Sequence, residues 1–380
     1  MTTLRAKAGI VLPGLGHLLA GEVIEGIGLL ALTMVFVYAG VHGFPQLDVL
    51  LARPGTPTFR IHPYVALTAW FLGAILTWYR AFRFAVPAPP AASSSRASRG
   101  RAIWRQFRKN RSGMLGLYLV LVIMTIAILT PFIAPFDPDA MEVGPKLAPP
   151  SLEHWMGTDE FRRDIFSRVL YGARISLSIG FVAVAIAATI GTAVGSVAGY
   201  FGGWTDRLLM WCTDLILSLP RLVLLLAIVG LFRAAGAQSL FLIVTILGMT
   251  GWMSVARIVR SQVLSLKEQD FIQATRALGL PASRVLFVHL IPNAFAPVIV
   301  FASLAIGGTI LAEAALGFLG LGVPPPTATW GSIVNDGREY LRNAWWYTTF
   351  PGLMIVFSVM SFNMLGDGLR DALDPKLRGR

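Results

Sequence analysis

The sequence predicts an all-α polytopic membrane protein, and three observations carry that prediction. Of 380 residues, 55% are hydrophobic and only 14% are charged, whereas a soluble globular chain carries about 25% charged residues. The apolar residues are gathered into runs, and roughly 20 such residues suffice for one helical crossing. The formal charge of +12 comes largely from Lys and Arg beside those runs, which is the pattern of cytoplasmic flanks and not of a nucleic-acid surface. No nucleic-acid partner is expected. Cys212 is the single cysteine, so no internal disulfide framework or cysteine-based zinc site is expected.

Eight spans are expected, at about 24–42, 63–84, 113–135, 175–199, 208–232, 240–257, 291–312 and 346–366. The first apolar stretch is broken by Pro13, Gly14 and Gly16 and soon meets a longer one, so it does not read as a secretory signal. Orientation follows from the cations near the helix ends. Arg96, Arg99, Arg101, Arg105, Arg108, Lys109 and Arg111 form one basic segment; Arg257, Arg260, Lys267, Arg276 and Arg284 lie in a second; Arg370, Lys376, Arg378 and Arg380 close the chain. Placing all three in the cytoplasm fits eight crossings with both termini inside. The region 136–174 then lies outside, although it holds Arg162, Arg163, Arg168 and Arg174 alongside seven acids.

The chain divides at VPAPPAASSSRASRG, which lacks apolar periodicity and reads as a cytoplasmic linker. The expected organisation is an N-terminal two-span module (1–84), a linker (85–103) and a six-span body (104–380). Few packing contacts are expected to cross the linker. Gly191, Gly195 and Gly199 form a smooth helical stripe suited to close packing by another backbone. The sequence shows no convincing internal repeat, which counts against repeat-built secondary transporters.

Nothing points to catalysis. There is no phosphate-cradling Gly-x-x-x-x-Gly-Lys-Ser/Thr loop and no His-Glu-x-x-His pair among the five histidines. Ser196 and Ser332 each follow a glycine, but no histidine lies at a matching membrane depth, and such serines usually serve packing. The chain is expected to bind no cofactor and no metal. Asp214 and Glu313 are ionisable groups at membrane depth, hence candidates for a substrate path or for a structural charge paired with a nearby donor.

The most informative stretch runs from Lys267 to Asn293. Asp270 and Gln273 resemble a capping box, and Phe271, Ala274, Thr275 and Leu278 share one helical face. Gly279 suits a left-handed residue past the helix end, Pro281 suits the start of a second short helix, and Pro292 with Asn293 marks the start of the next span. The pattern describes a two-turn amphipathic helix held outside the lipid. It serves either as an interfacial helix on the headgroups or as a knob that docks into another protein.

FIQATRALG followed by HLIPN resembles the coupling motif of ABC importer permeases, Glu-Ala-Ala with a glycine four residues later. Gln273, Ala274, Thr275 and Gly279 match it, with Gln273 in place of Glu and Thr275 in place of the second Ala. GTDEFRRDIFSRVLYGARISLSIG (157–180), LAEAALGFLGLGVPPPTATWGSIVNDGREYL (311–341) and FNMLGDGLRDALDPKLR (362–378) resemble the second, C-type permease subunit of the dipeptide/oligopeptide/nickel importers. The resemblance runs from about Trp104 to the C-terminus and leaves out residues 1–100. Arg162 departs from it where the family usually has glycine, which puts the turn geometry there in question.

The resemblance implies a six-helix importer permease core in the inner membrane, to which the two N-terminal helices expected from the apolar runs are additional. It implies a homologous second permease subunit, two ABC ATPase subunits that use the ATP, and an extracytoplasmic solute-binding protein that delivers peptides or related small solutes. It assigns ATPase coupling to the segment 268–292, through Phe271, Gln273, Ala274, Thr275, Arg276, Ala277, Leu278, Gly279 and Pro292. The chain would be a transport subunit without an ATPase site of its own. The rival classes are a secondary transporter and a membrane-embedded enzyme.

Overall fold

The computed structural model describes residues 23–43, 73, 76–77, 95–234 and 239–374. Among the described residues the regular structure is helical, apart from a lone bridge between Thr158 and Asp164. The elements are α1 (Val23–Gly43), α2 (Ser95–Lys109), α3 (Arg111–Ile133), α4 (Ile165–Phe201), α5 (Gly203–Leu217), α6 (Arg221–Ala234), α7 (Leu240–Met249), α8 (Trp252–Lys267), α9 (Asp270–Ala277), α10 (Ile291–Phe318), α11 (Trp330–Gly337) and α12 (Trp346–Leu373). Among the described residues, five stretches are long and apolar enough to cross a membrane: Arg111–Ile133, Ile165–Phe201, Leu240–Lys267, Ala282–Phe318 and Trp346–Leu373. The pair α5 and α6, bent by 84°, makes a sixth if it counts as one span. The all-α polytopic class is therefore as expected.

Several expected boundaries move. The expected span 63–84 lies outside the described residues, apart from 73 and 76–77. The span expected at 175–199 begins earlier, at Ile165, and runs to Phe201. The span expected at 208–232 is not straight. It breaks at Ser218–Pro220, because Pro220 has no N–H to continue the ladder and its ring disfavours helical Leu219. The span expected at 240–257 continues through α8 to Lys267.

The chain forms two compact units, one of Met1–Leu177 with Pro325–Arg380, the other of Ser178–Pro324. In the first, α1 lies against α3. Leu29, Leu32, Phe36 and Ala39 share a core with Met114, Tyr118 and Leu129, and the Tyr118 ring covers Gly28. Arg108 Nε donates to Glu25 Oε1 at 2.6 Å. The expectation of few contacts across the linker is thus corrected, since α1 buries apolar side chains that could pack on another helix as readily as face lipid. The expected linker 85–103 also ends in structure, because α2 starts at Ser95. Its Phe107 is buried against Gly113 and Gly368, where α3 and α12 touch. A Cβ on Gly113 would come within 2.7 Å of the Gly368 Cα.

The arginine-rich region 136–174 is explained by internal pairing. Asp159 is fully buried and accepts from the backbone N–H of Phe161 and Arg163 and from Arg163 Nε at 2.6 Å. Arg168 lies between Asp159 (3.7 Å) and Asp336 (4.0 Å). Burial raises the Asp336 carboxyl above its ordinary value, and Arg168 opposes that rise. Asp164 accepts from the Ser167 N–H and pairs with His154 Nδ1. Arg174 stacks on the Tyr171 ring. Arg162 has φ +61. The turn keeps the left-handed backbone that glycine would favour, so the departure at Arg162 changes the residue and not the turn.

Candidate coupling site

The second unit builds the site from α8 outward. Val255, Val259 and Val263 recur at i, i+4 and i+8, are all buried, and form the inward stripe of α8. Facing them from α4 is the glycine stripe. A Cβ on Gly191 would come within 2.5 Å of the Val255 Cβ, and one on Gly199 within 3.0 Å of the Arg260 carbonyl oxygen. Gly195 lies against the Ala256 carbonyl oxygen with no space for a Cβ between them. The stripe therefore packs one helix of the chain onto another, as small residues do in membranes.

Two ion pairs fasten α8 to α5 on another side. Arg260 grips Asp206 with two bonds, Nε to Oδ1 at 2.5 Å and Nη2 to Oδ2 at 2.6 Å. One turn away, Arg257 Nη2 donates to Asp214 Oδ1 at 2.5 Å. The Asp214 and Arg257 side chains are about half exposed, 60% and 52%. At the far end of α8, Lys267 Nζ donates to the Tyr200 carbonyl oxygen of α4.

After α8 the chain turns at Glu268 and Gln269 into α9, whose eight residues match the expected two-turn helix. The expected capping box is absent. The helix is capped by Gln269 in extended conformation with no side-chain bond, so Asp270 is already the first helical residue. Its carboxylate sits there at the positive end of the helix dipole. Gln273 Nε2 instead donates to the Glu268 carbonyl oxygen.

Ile272 has no exposure at all and inserts among Val255, Val259, Val263, Val285, Leu286 and Leu290. That anchor turns the opposite face outward. Phe271, Gln273, Ala274, Arg276, Ala277 and Leu278 are exposed, and Thr275 is half-buried with its hydroxyl donating to the Ile272 carbonyl. Leu278 is 79% exposed, a large apolar side chain left largely uncovered by the described residues. The Arg276 guanidinium stacks 4.9 Å from the Tyr200 ring centroid.

Gly279 has φ +72. Its N–H bonds to the Arg276 carbonyl while the Leu280 N–H bonds to the Thr275 carbonyl, which closes the helix in the double-bonded glycine motif the sequence called for. Pro281 then caps a single turn, Ala282–Arg284. The next span starts before Pro292, not at it: a π-helical turn, Val285–Leu290, joins that single turn to α10. The widened turn, in which the Ile291 N–H reaches the Leu286 carbonyl, accommodates a proline that cannot continue an ordinary ladder. Asn293 Nδ2 donates to the His289 carbonyl across it.

The structure thus gathers Phe271 through Gly279 into one knob and leaves Asp214 and Glu313 away from it. Glu313 is fully buried in α10. Ile272 was missed by sequence reasoning, although it is the only aliphatic β-branched residue in α9. The pairs Arg257–Asp214 and Arg260–Asp206 were missed too. Cations three apart and acids eight apart each mark one helix face, but only the fold reveals that the faces meet.

Residues 191–379 match the family described as the binding-protein-dependent transport system inner membrane component. Residues 98–150 match the N-terminal TM domain of oligopeptide transport permease C. The chain is 41% identical over 290 residues to the dipeptide transport system permease protein DppC of Alkalihalophilus pseudofirmus, covering 76% of this chain and 94% of that one. It is 40% identical over 281 residues to the oligopeptide transport system permease protein OppC of Bacillus subtilis (73% and 91%). It is 41% identical over 282 residues to the glutathione transport system permease protein GsiD of Escherichia coli (73% and 90%). The chain belongs to the C-type permease subunits of the dipeptide/oligopeptide ABC importers, multi-pass inner-membrane proteins that act with an ATPase and a solute-binding protein.

Proposed function

We propose that this chain pairs with a homologous second permease subunit to line a path for peptides, that two ABC ATPase subunits bind below the pair, one of them docking on the α9 knob, and that an extracytoplasmic binding protein delivers the solute. ATP is used by the partner subunits, and this chain binds no cofactor. Both termini and the knob face the cytoplasm. The peptide class rests on what the similar proteins are named for: dipeptide, oligopeptide and glutathione transport.

The observation that carries this reading is α9 itself. Its apolar residues split into one inward anchor, Ile272, and an outward face of Phe271, Ala274 and Leu278. A helix this short is not stable alone, so the fold must hold it, and an apolar face held away from its own core is suited to a partner. The anchor also joins it to α8, which is locked to α4 through the glycine stripe and to α5 through two ion pairs. Closure of the ATPases would then move α9, α8, α4 and α5 together, a rigid-body route to alternating access.

Purification of the tagged chain from its native membrane tests this reading. The expected result is an assembly with a second permease and two ATPase copies, whose uptake of a dipeptide in proteoliposomes requires ATP and the binding protein. A chain that transports alone, or with an ion gradient and no ATPase, contradicts it.

A further inference from the structure

Among the cations of the broken span and the helix it is clipped to, Arg233, Arg257, Arg260 and Lys267 have built-in partners. Arg257 holds Asp214, Arg260 holds Asp206, and Arg233 donates to the carbonyl oxygens of Gly320 and Gly322 at 2.6 Å each. Arg207, near the start of α5, and Arg221 have none among the described residues, and the deeper of the two is Arg221. It stands at the 84° break as the first residue of α6, is exposed, and among the described residues has neither an ion-pair nor a hydrogen-bond partner. The 15 residues of α5 carry it about 22 Å along that helix from its start, which, with α5 along the membrane normal, would put it inside a hydrocarbon layer of roughly 30 Å. An ionised group at that depth, unmatched by a carboxylate, is costly and calls for a functional reason.

Arg221 lines a cavity of about 90 Å³ together with Thr250, Ser254 and Thr309, enough for several waters. The two threonine hydroxyls have already donated, Thr250 to the Ile246 carbonyl and Thr309 to the Ala305 carbonyl. Where they meet the cavity they offer lone pairs and no protons. One fork-shaped cation beside hydrogen-bond acceptors complements a solute that carries a carboxylate next to N–H groups. We infer that Arg221 receives the carboxylate of the moving solute, making it a specificity-determining residue of the path. This rests on the importer reading above.

The test uses proteoliposomes holding the complete importer with the wild-type, Arg221→Gln or Arg221→Lys chain, each first checked for co-purified ATPase. Uptake of alanyl-alanine and of alanyl-alanine amide is measured at the same saturating binding protein, whose own preference is common to all three and cancels between them. The expected result is a roughly tenfold loss of free-acid uptake in Arg221→Gln, as removal of a charge-assisted bond gives. Amide uptake should stay within about twofold, and Arg221→Lys should recover only part of the free-acid rate, because a point charge replaces the fork. Unchanged free-acid uptake in Arg221→Gln overturns the inference while leaving the importer reading intact, and so does an equal loss for both peptides. A wild-type assembly that moves neither peptide overturns the importer reading, and this inference with it.

Discussion

Gly195 of α4 lies directly against the carbonyl oxygen of Ala256 in α8, and a Cβ has no place between them. Backbone cannot swing aside as a side-chain tip can, so this contact fixes the distance between the two helices. Gly195→Ala is expected to push them apart and lower stability by about 1–3 kcal/mol, the usual effect of overpacking. Gly230→Ala in α6, where the space around the Cβ is open, should be neutral or slightly stabilising. Thermal unfolding of the two purified variants in detergent compares them, and equal melting temperatures would remove the glycine stripe from the account.

Ile272 has a different task, holding α9 on the unit. Truncation to Ala leaves a cavity among Val259, Val263 and Leu290 and should weaken the anchorage by about 2–4 kcal/mol, whereas Ile272→Val should lose about 0.5–1.5 kcal/mol. In the assembled importer, Ile272→Ala is expected to hydrolyse ATP with uptake reduced at least fivefold per ATP, and Ile272→Val to remain close to wild type. The ratio of peptide taken up to ATP hydrolysed is the quantity to measure.

Asp214 can be a structural charge or a group that meets solute, and a charge swap separates the two. If its task is to hold Arg257, Asp214→Asn and Arg257→Gln should each impair uptake. The double reversal Asp214→Arg with Arg257→Asp should then recover at least half of it, because the pair re-forms across α5 and α8. Failure of the reversal to recover uptake, in a chain that still assembles, would assign Asp214 to the solute path.

Arg162 keeps φ +61 with a side chain half in solvent and a 3.8 Å pair to Glu142. Such an exposed pair contributes little, while the left-handed backbone costs a non-glycine residue about 1–2 kcal/mol. Arg162→Gly is therefore expected to stabilise the chain by about 1 kcal/mol after the entropy of the added glycine is subtracted. A rise in melting temperature checks it, and a fall would mean that the Glu142 pair outweighs the strain.

What the sequence made legible was governed by local rules. Apolar run length gave the spans, and the left-handed conformation of Gly279 and the two-turn length of α9 followed from capping chemistry. The glycine stripe was legible as a packing surface because its spacing is helical. The partners of Asp214 and Asp206 were not legible, since Arg257 and Arg260 lie 43 and 54 residues further on. The break at Pro220 was hidden by an apolar run that continues on both sides of it. The docking of α1 on α3 was hidden for a related reason: an apolar helix in a membrane looks the same whether it faces lipid or protein. Asp270 misled, because its position one residue inside the helix, and not at the cap, is set by the turn at Glu268 and Gln269.

The central claim is that α9 transmits ATPase motion by its outward face, and Ala274 tests it most directly. Ala274 is exposed in this chain, so Ala274→Trp creates no clash within it and leaves the membrane spans untouched. The measurement is binding-protein-dependent peptide uptake by the reconstituted importer, with Gln273→Glu as a control that changes charge at the same helix with little change in size. The account predicts uptake abolished in Ala274→Trp at normal membrane levels and near wild type in Gln273→Glu. Wild-type uptake by Ala274→Trp would contradict it and leave α9 as an interfacial anchor.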